Sequence, residues 1–201
     1  MKKKKRILFV NGHLNVGGIE KSLVDLLNYI DYSYIDVDLL LLEGIGDYYQ
    51  NIPPQVNVIY RNTNYVYGPF IKIIINNIIH FRFTYNIYRI IIILSSFLGK
   101  KIYCLLRPLL KVRDSYDYAI AYRLGICNEI VSYAINSKKK FCWWHNGECR
   151  YNSYDINKIK QQWQKTDKII TVSEGCKKMI KDIFNINEDN IRVIPNIIDI
   201  K

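Results

Sequence analysis

The feature that most constrains this chain is an alternation. Short apolar runs recur along it, and between them the apolar residues return at helical spacing. Ile7–Val10, Val37–Leu42, Val56–Tyr60, Tyr116–Tyr122, Lys140–Trp144, Lys168–Val172 and Arg192–Ile194 read as seven strands. Ile19, Leu23, Leu26, Leu27 and Ile30 repeat with helical period after the first run, and Glu20 lies in the first turn, where the helix dipole favours an acid. The same period recurs in Ile126, Ile130, Val131 and Ala134, in Ile156, Ile159 and Trp163, and in Cys176, Met179, Ile180 and Ile183 behind Ser173, a natural N-cap. Glu43-Gly44-Ile45-Gly46-Asp47 and Pro53-Pro54 break the chain between strands. Strands alternating with single helices specify βαβ units. The expected fold is α/β, a Rossmann-like, doubly wound, mostly parallel sheet of about seven strands.

With 201 residues, 49% of them hydrophobic, the chain suffices for one such domain and is too short for two large ones. Its heavy use of Ile, Asn, Lys and Tyr fits an AT-rich coding bias, so single Ile and Asn residues carry little weight. The apolar run behind the charged start, Ile7 to Val10, is shorter than the roughly 7–15 residues of an export signal. Five cysteines without a Cys-x-x-Cys pair point to reduced thiols in the cytoplasm. Cys142, His145 and Cys149 have a spacing that could ligate metal, but a structural zinc site takes four ligands and no fourth is near, so no metal is expected.

Open α/β sheets bind ligands beyond the carboxyl ends of their strands. Four polar loops fall there: Gly17-Gly18 after the first strand, Arg123 after the fourth, His145-Asn146 after the fifth and Ser173-Glu174 after the sixth. Gly17-Gly18 leads into a helix whose free N–H groups suit an anion such as a diphosphate, and equally well serves a tight strand-to-helix turn. The loop matches neither the G-x-G-x-x-G fingerprint nor the P-loop. His145 can exchange a proton or hydrogen bond with a sugar hydroxyl or phosphate, or be a satisfied turn residue. Arg123 can grip a phosphate bidentately or stand solvated at a strand end. Trp143 and Trp144 must face opposite sides of the sheet, as core or as a sugar platform.

Ile7-Leu8-Phe9-Val10-Asn11 leading to Gly17-Gly18-Ile19-Glu20-Lys21-Ser22-Leu23, then Trp144-His145-Asn146, Thr171-Val172-Ser173-Glu174 and Ile191-Arg192-Val193-Ile194-Pro195-Asn196-Ile197-Ile198-Asp199, resemble group 1 (family 4) retaining glycosyltransferases, in family order. The resemblance implies the N-terminal half of a GT-B fold, with residues 1–194 as the acceptor-side domain and residues 195–201 starting a linker to a C-terminal donor-binding domain. It implies sugar transfer from a nucleotide-diphosphate sugar to a glycan or lipid-linked acceptor, without cofactor or metal. His145 becomes the catalytic residue, and Gly17, Gly18, Arg123, Asn146, Ser173 and Asn196 fall to donor-phosphate and acceptor binding. Ile197 stands where the family often has glycine. The family's donor-clamping glutamates belong to the other half, so this chain alone is expected to be inactive.

The net charge of +11 is concentrated: residues 1–6 carry +5, and residues 48–113 hold nine Lys and Arg without one acid. No stretch there approaches the roughly 20 residues of a spanning helix. Lys72, Asn76, His80 and Thr84 recur every four residues, a narrow polar stripe expected on one apolar helix. Such a helix docks on an anionic membrane surface, or simply covers the sheet. Nucleic acid is the weaker partner, because the charge lies among isoleucines and no nucleic-acid motif accompanies it. Three functions follow: a cytoplasmic, peripherally membrane-bound transferase half; a non-catalytic, membrane-docking acceptor-binding module serving a separate donor-domain chain; or a nucleotide- or nucleic-acid-binding Rossmann domain without transferase activity.

Overall fold

Every strand run is realised, and all seven strands join one parallel sheet. The computed structural model describes residues 4–66, 68–146 and 152–197. The elements run β1 (Lys5–Asn11), α1 (Gly18–Tyr29), β2 (Ile35–Leu41), β3 (Asn57–Tyr60), α2 (Phe70–Ile79), α3 (Phe83–Leu98), α4 (Arg107–Leu110), β4 (Tyr116–Ala121), α5 (Ile126–Tyr133), β5 (Ser137–Trp144), α6 (Ser153–Trp163), β6 (Lys168–Thr171), α7 (Glu174–Phe184) and β7 (Ile191–Val193). Their order across the sheet is β3-β2-β1-β4-β5-β6-β7. The chain winds outward from β1 to β3, crosses back, and winds the other way from β4 to β7. The winding therefore reverses between β1 and β4.

The period-two alternation of each strand sends its residues to two separate cores. Leu8 and Val10 of β1, Leu40 of β2, Ala119 and Ala121 of β4 and Cys142 and Trp144 of β5 face one side, where α3 to α7 pack. Phe9, Leu39, Ile120 and Trp143 face the other, where α1 lays Leu23, Val24 and Leu27 on the sheet. Burial on both faces explains why the strands read as continuous apolar runs. Cys127 and Cys142 pack as small apolar side chains, and burial pushes both thiols up.

One expected break and one departure from expectation have local causes. The connection from β2 to β3 holds only a 3-10 segment, Asp47–Asn51. It is tied to the β1 loop by Tyr48 N donating to Leu14 O at 2.9 Å. Gly46 permits this approach: its φ is +82°, and a Cβ there would collide with the Leu14 backbone. The stripe of Lys72, Asn76, His80 and Thr84 does not lie on one helix. Lys72 and Asn76 belong to α2, His80 is its C-cap and Thr84 lies in the first turn of α3. The elbow closes as Phe81 N donates to Ile78 O at 3.0 Å and Arg82 N to Asn77 O at 2.7 Å, a Schellman turn with Phe81 at φ 54°. Buried Asn77 holds the bend, its amide donating to Tyr65 O at 2.8 Å and to Asn86 Oδ1 at 2.9 Å.

Beyond the core, Asp38 on β2 is 1% exposed and accepts from Tyr116 Oη at 2.6 Å, Arg113 Nε at 2.9 Å and Asn57 Nδ2 at 3.0 Å. This node ties β2 and β3 to the segment entering β4. Burial and the Asp38 carboxylate push the Tyr116 phenol far up.

Candidate functional site

Because all strands are parallel, their carboxyl ends form one rim, and the loops after β1 and β4 flank the reversal point. A pocket of about 170 Å³ opens there, lined by Ile19, Arg123, Leu124, Trp143, His145 and Asn146. Beyond Arg123 and Leu124 the rim widens into a second pocket of about 410 Å³, bordered by Glu43, Thr63, Asn64, Gly125, Glu129 and Lys158. A small-molecule site commonly measures about 300–1,000 Å³. The first pocket alone falls below that range and the second lies within it.

His145 sits on an aromatic floor. Its ring lies parallel to Trp143, 5.8 Å between centroids with planes 5° apart, and tilted against Tyr122 at 4.6 Å. Burial pushes the imidazole down to about 4, and the Tyr122 backbone offsets part of that shift. At neutral pH it is thus uncharged, a hydrogen-bonding group rather than a cation. No side chain among the described residues hydrogen-bonds either ring nitrogen. The turn beneath it is anchored from the opposite core, where buried Trp144 donates Nε1 to Asn146 O at 2.6 Å. The tryptophan pair thus divides: Trp144 locks the loop from below while Trp143 floors the pocket. Cys142, packed with Trp144, points away from His145, and Cys149 lies outside the described residues.

Arg123 is engaged within the chain rather than extended to solvent. Its Nη1 donates to His13 Nε2 at 2.8 Å and to Glu20 Oε1 at 3.3 Å. Glu20 is 5% exposed and follows Gly17 by three residues, the position from which a side chain reaches back to the helix start. This explains the glycine pair. Gly17 has an extended backbone any residue could adopt, but a Cβ there would strike the Glu20 carboxylate. A Cβ on Gly18 would meet nothing within 4 Å, so the first turn of α1 is open to approach. The Glu20 carboxylate and the Arg123 guanidinium offset one another, leaving the backbone N–H groups of α1 as the local attraction for an anion.

The remaining expected residues share the rim but not this pocket. Ser173 follows β6 and caps α7, accepting from Cys176 N at 3.2 Å. Asn196 is exposed beyond β7. Asp199 and Ile198 lie outside the described residues. His13, Glu20 and Tyr122 were not singled out as site residues from sequence. Glu20 had a signal, its third place in a helix behind a glycine pair; His13 and Tyr122 reach the site only through tertiary packing.

Residues 136–201, about a third of the chain, match the family model described as Glycosyltransferase Family 4. Comparison with curated proteins by sequence finds no match. Among solved structures, the chain is similar to HepE of Anabaena, crystallised with UDP and glucose, at 14% identity and TM-score 0.54 over 97% of this chain and 45% of that one. A glycosyltransferase from Rickettsia africae ESF-5 is similar at 16% identity and TM-score 0.56, over 96% of this chain and 43% of that one. The lipopolysaccharide outer core galactosyltransferase WaaB, in its apo form, gives 16% identity and TM-score 0.52 over 98% and 47%. The chain thus spans a little under half the length of each. It is a glycosyltransferase-like domain in fold, with the Rossmann-like sheet of GT-B enzymes.

Proposed function

We propose that this chain is the N-terminal, acceptor-side half of a retaining group 1 glycosyltransferase, with residues 1–194 as the domain and residues 195–201 as the start of the linker. The complete enzyme transfers a sugar from a nucleotide-diphosphate donor to a glycan or lipid-linked acceptor, in cell-surface polysaccharide or glycolipid synthesis at the cytoplasmic face of the membrane. The observation that carries this is the convergence of Arg123, His145 and Asn146 with the open α1 N-terminus at the sheet's reversal point, in a pocket too small to hold a whole donor. The match of residues 136–201 to the family model and the three fold likenesses support the same reading.

In this reading the half-site positions groups. His145 is neutral at working pH, so its N–H donates to a sugar hydroxyl without drawing the donor phosphate away from its leaving position. The amides at Gly18 and Ile19 face the diphosphate edge, where charge grows as the sugar–phosphate bond breaks and the leaving phosphate assists retention. The Glu20–Arg123 pair holds the loop after β4 against α1 and fixes the pocket's width. Joined to its donor-binding domain, the His145→Ala enzyme is expected to turn over a nucleotide-diphosphate sugar at least about tenfold more slowly, the loss of one positioned hydrogen bond. Its unfolding transition should persist. Turnover equal to the parent enzyme removes His145 from the mechanism.

A further inference from the structure

We propose that the α2–α3 hairpin is a lipid-docking surface, laid flat in the headgroup region of an anionic bilayer. The hairpin is apolar on both sides. Inward, Ile92 is buried and Tyr85, Tyr88 and Ile91 pack against the core. Outward, Phe83, Ile87, Ile90, Leu94 and Phe97 follow one another by four, three, four and three residues, a single stripe along α3, each 42–81% exposed. Ile71, Ile75 and Ile78 continue the pattern on α2, each 49–70% exposed. An ordinary surface helix carries polar residues on this face. A contiguous apolar face of this kind marks an interaction site.

The elbow adds a second observation. Phe81 is 82% exposed and occupies the left-handed position of the Schellman turn, which glycine fills without strain. Its ring meets Phe83 edge-on, 6.2 Å between centroids, so the two aromatics form one outward-facing cluster at the elbow.

Charge selects the occupant. Residues 48–113 contain no acid, and exposed Lys72 and Lys101 at the two ends of the hairpin have no ion pair among the described residues. Protein interfaces are depleted of lysine at their centres, whereas helices lying on membranes carry lysine beside aromatic and aliphatic residues. At 16 residues α3 is about 24 Å long, short of the roughly 30 Å hydrocarbon layer, so it lies along the surface. No helix among the described residues is long and apolar enough to cross a membrane.

Docking here would bring the rim to the lipid. Arg82 stacks 4.1 Å over the Tyr65 ring, and Arg89 donates to Val66 O at 3.2 Å. These contacts fasten the hairpin to the turn at Thr63–Tyr65, whose Thr63 and Asn64 border the 410 Å³ pocket. That pocket would face an acceptor presented from the bilayer. This use of the surface rests on the proposed transferase reading; the docking itself does not.

The test is flotation of the 201-residue chain with phosphatidylcholine vesicles, with and without phosphatidylglycerol, in the absence of donor and acceptor. The chain should float with the anionic vesicles, less with neutral ones, and less at high salt. Phe81→Gly with Phe97→Ser should lower partitioning tenfold or more without lowering the unfolding midpoint, since glycine relieves the elbow and Phe97 is exposed. Lys72→Ala with Lys101→Ala should erase most of the preference for anionic lipid. As a second readout, brominated lipid should quench the fluorescence of Phe97→Trp, because the native tryptophans are at most 5% exposed. Three results would overturn the proposal: no flotation with any vesicle, flotation indifferent to the Phe81/Phe97 pair, or self-association through this face without lipid binding. A negative result leaves donor transfer standing, and loss of transfer leaves docking standing.

Discussion

The depressed His145 imidazole makes stability fall with acid in a way one substitution should abolish. Its pKa is about 4 in the folded chain, against an ordinary value near 6.5 once unfolded. Between these values the unfolded chain holds a proton that the folded chain refuses. The contribution is therefore complete above about pH 6.5 and is lost progressively toward pH 4. Going from about pH 7.5 to about pH 5, the two titrations differ by nearly one and a half decades of binding, or about 2 kcal/mol. His145→Phe keeps an aromatic ring stacked on Trp143 and removes two buried nitrogens that no side chain hydrogen-bonds. It should match or exceed the parent's stability at the upper pH. The assay is urea unfolding followed by tryptophan fluorescence at several pH values for both chains. All other ionisable groups are common to both chains and cancel in the difference. The gap between the two chains should widen by about 2 kcal/mol on acidification. Parallel loss of stability would mean that His145 titrates normally, and the account of a neutral hydrogen-bonding imidazole would fall with it.

Gly46→Ala should lower unfolding stability by more than about 2 kcal/mol in the same assay, because a left-handed backbone and the Leu14 backbone both oppose a side chain there. Tyr116→Phe removes a hydrogen bond to the buried Asp38 carboxylate and should cost about 1.5–3 kcal/mol in urea unfolding, with the sheet retained by circular dichroism. Glu20→Gln leaves the Arg123 guanidinium without its counter-charge. Calorimetric titration with a nucleoside diphosphate should then show binding to this domain tightened about fivefold, on the order of 1 kcal/mol. Weaker binding would mean that Glu20 serves the ligand rather than screening it.

Strand identity was legible residue by residue, because near-continuous apolar runs such as Ile7–Val10 and Val37–Leu42 suit strands covered on both faces. The helix starts marked by Glu20 in the first turn of α1 and by the Ser173 cap of α7 were legible too, since both signals act within four residues. The bend at His80–Arg82 was not, because Asn77 is held from Tyr65 and Asn86, and a polar stripe with period four carries no sign of such a tie. The same limit applies at the rim. Sequence placed Gly17, Arg123 and His145 at strand ends and so at one edge of a parallel sheet. It took the fold to put His13 and Glu20 against Arg123 across more than a hundred residues, and Trp143 under His145. Local spacing determines what a side chain can do, while its charge state and partners depend on what the winding of the sheet brings within a few ångströms. The sequence by itself therefore determined the α/β architecture and the edge at which its polar loops gather. The tertiary structure decided that the histidine is neutral, that the arginine is engaged, and that an apolar hairpin faces outward beside them.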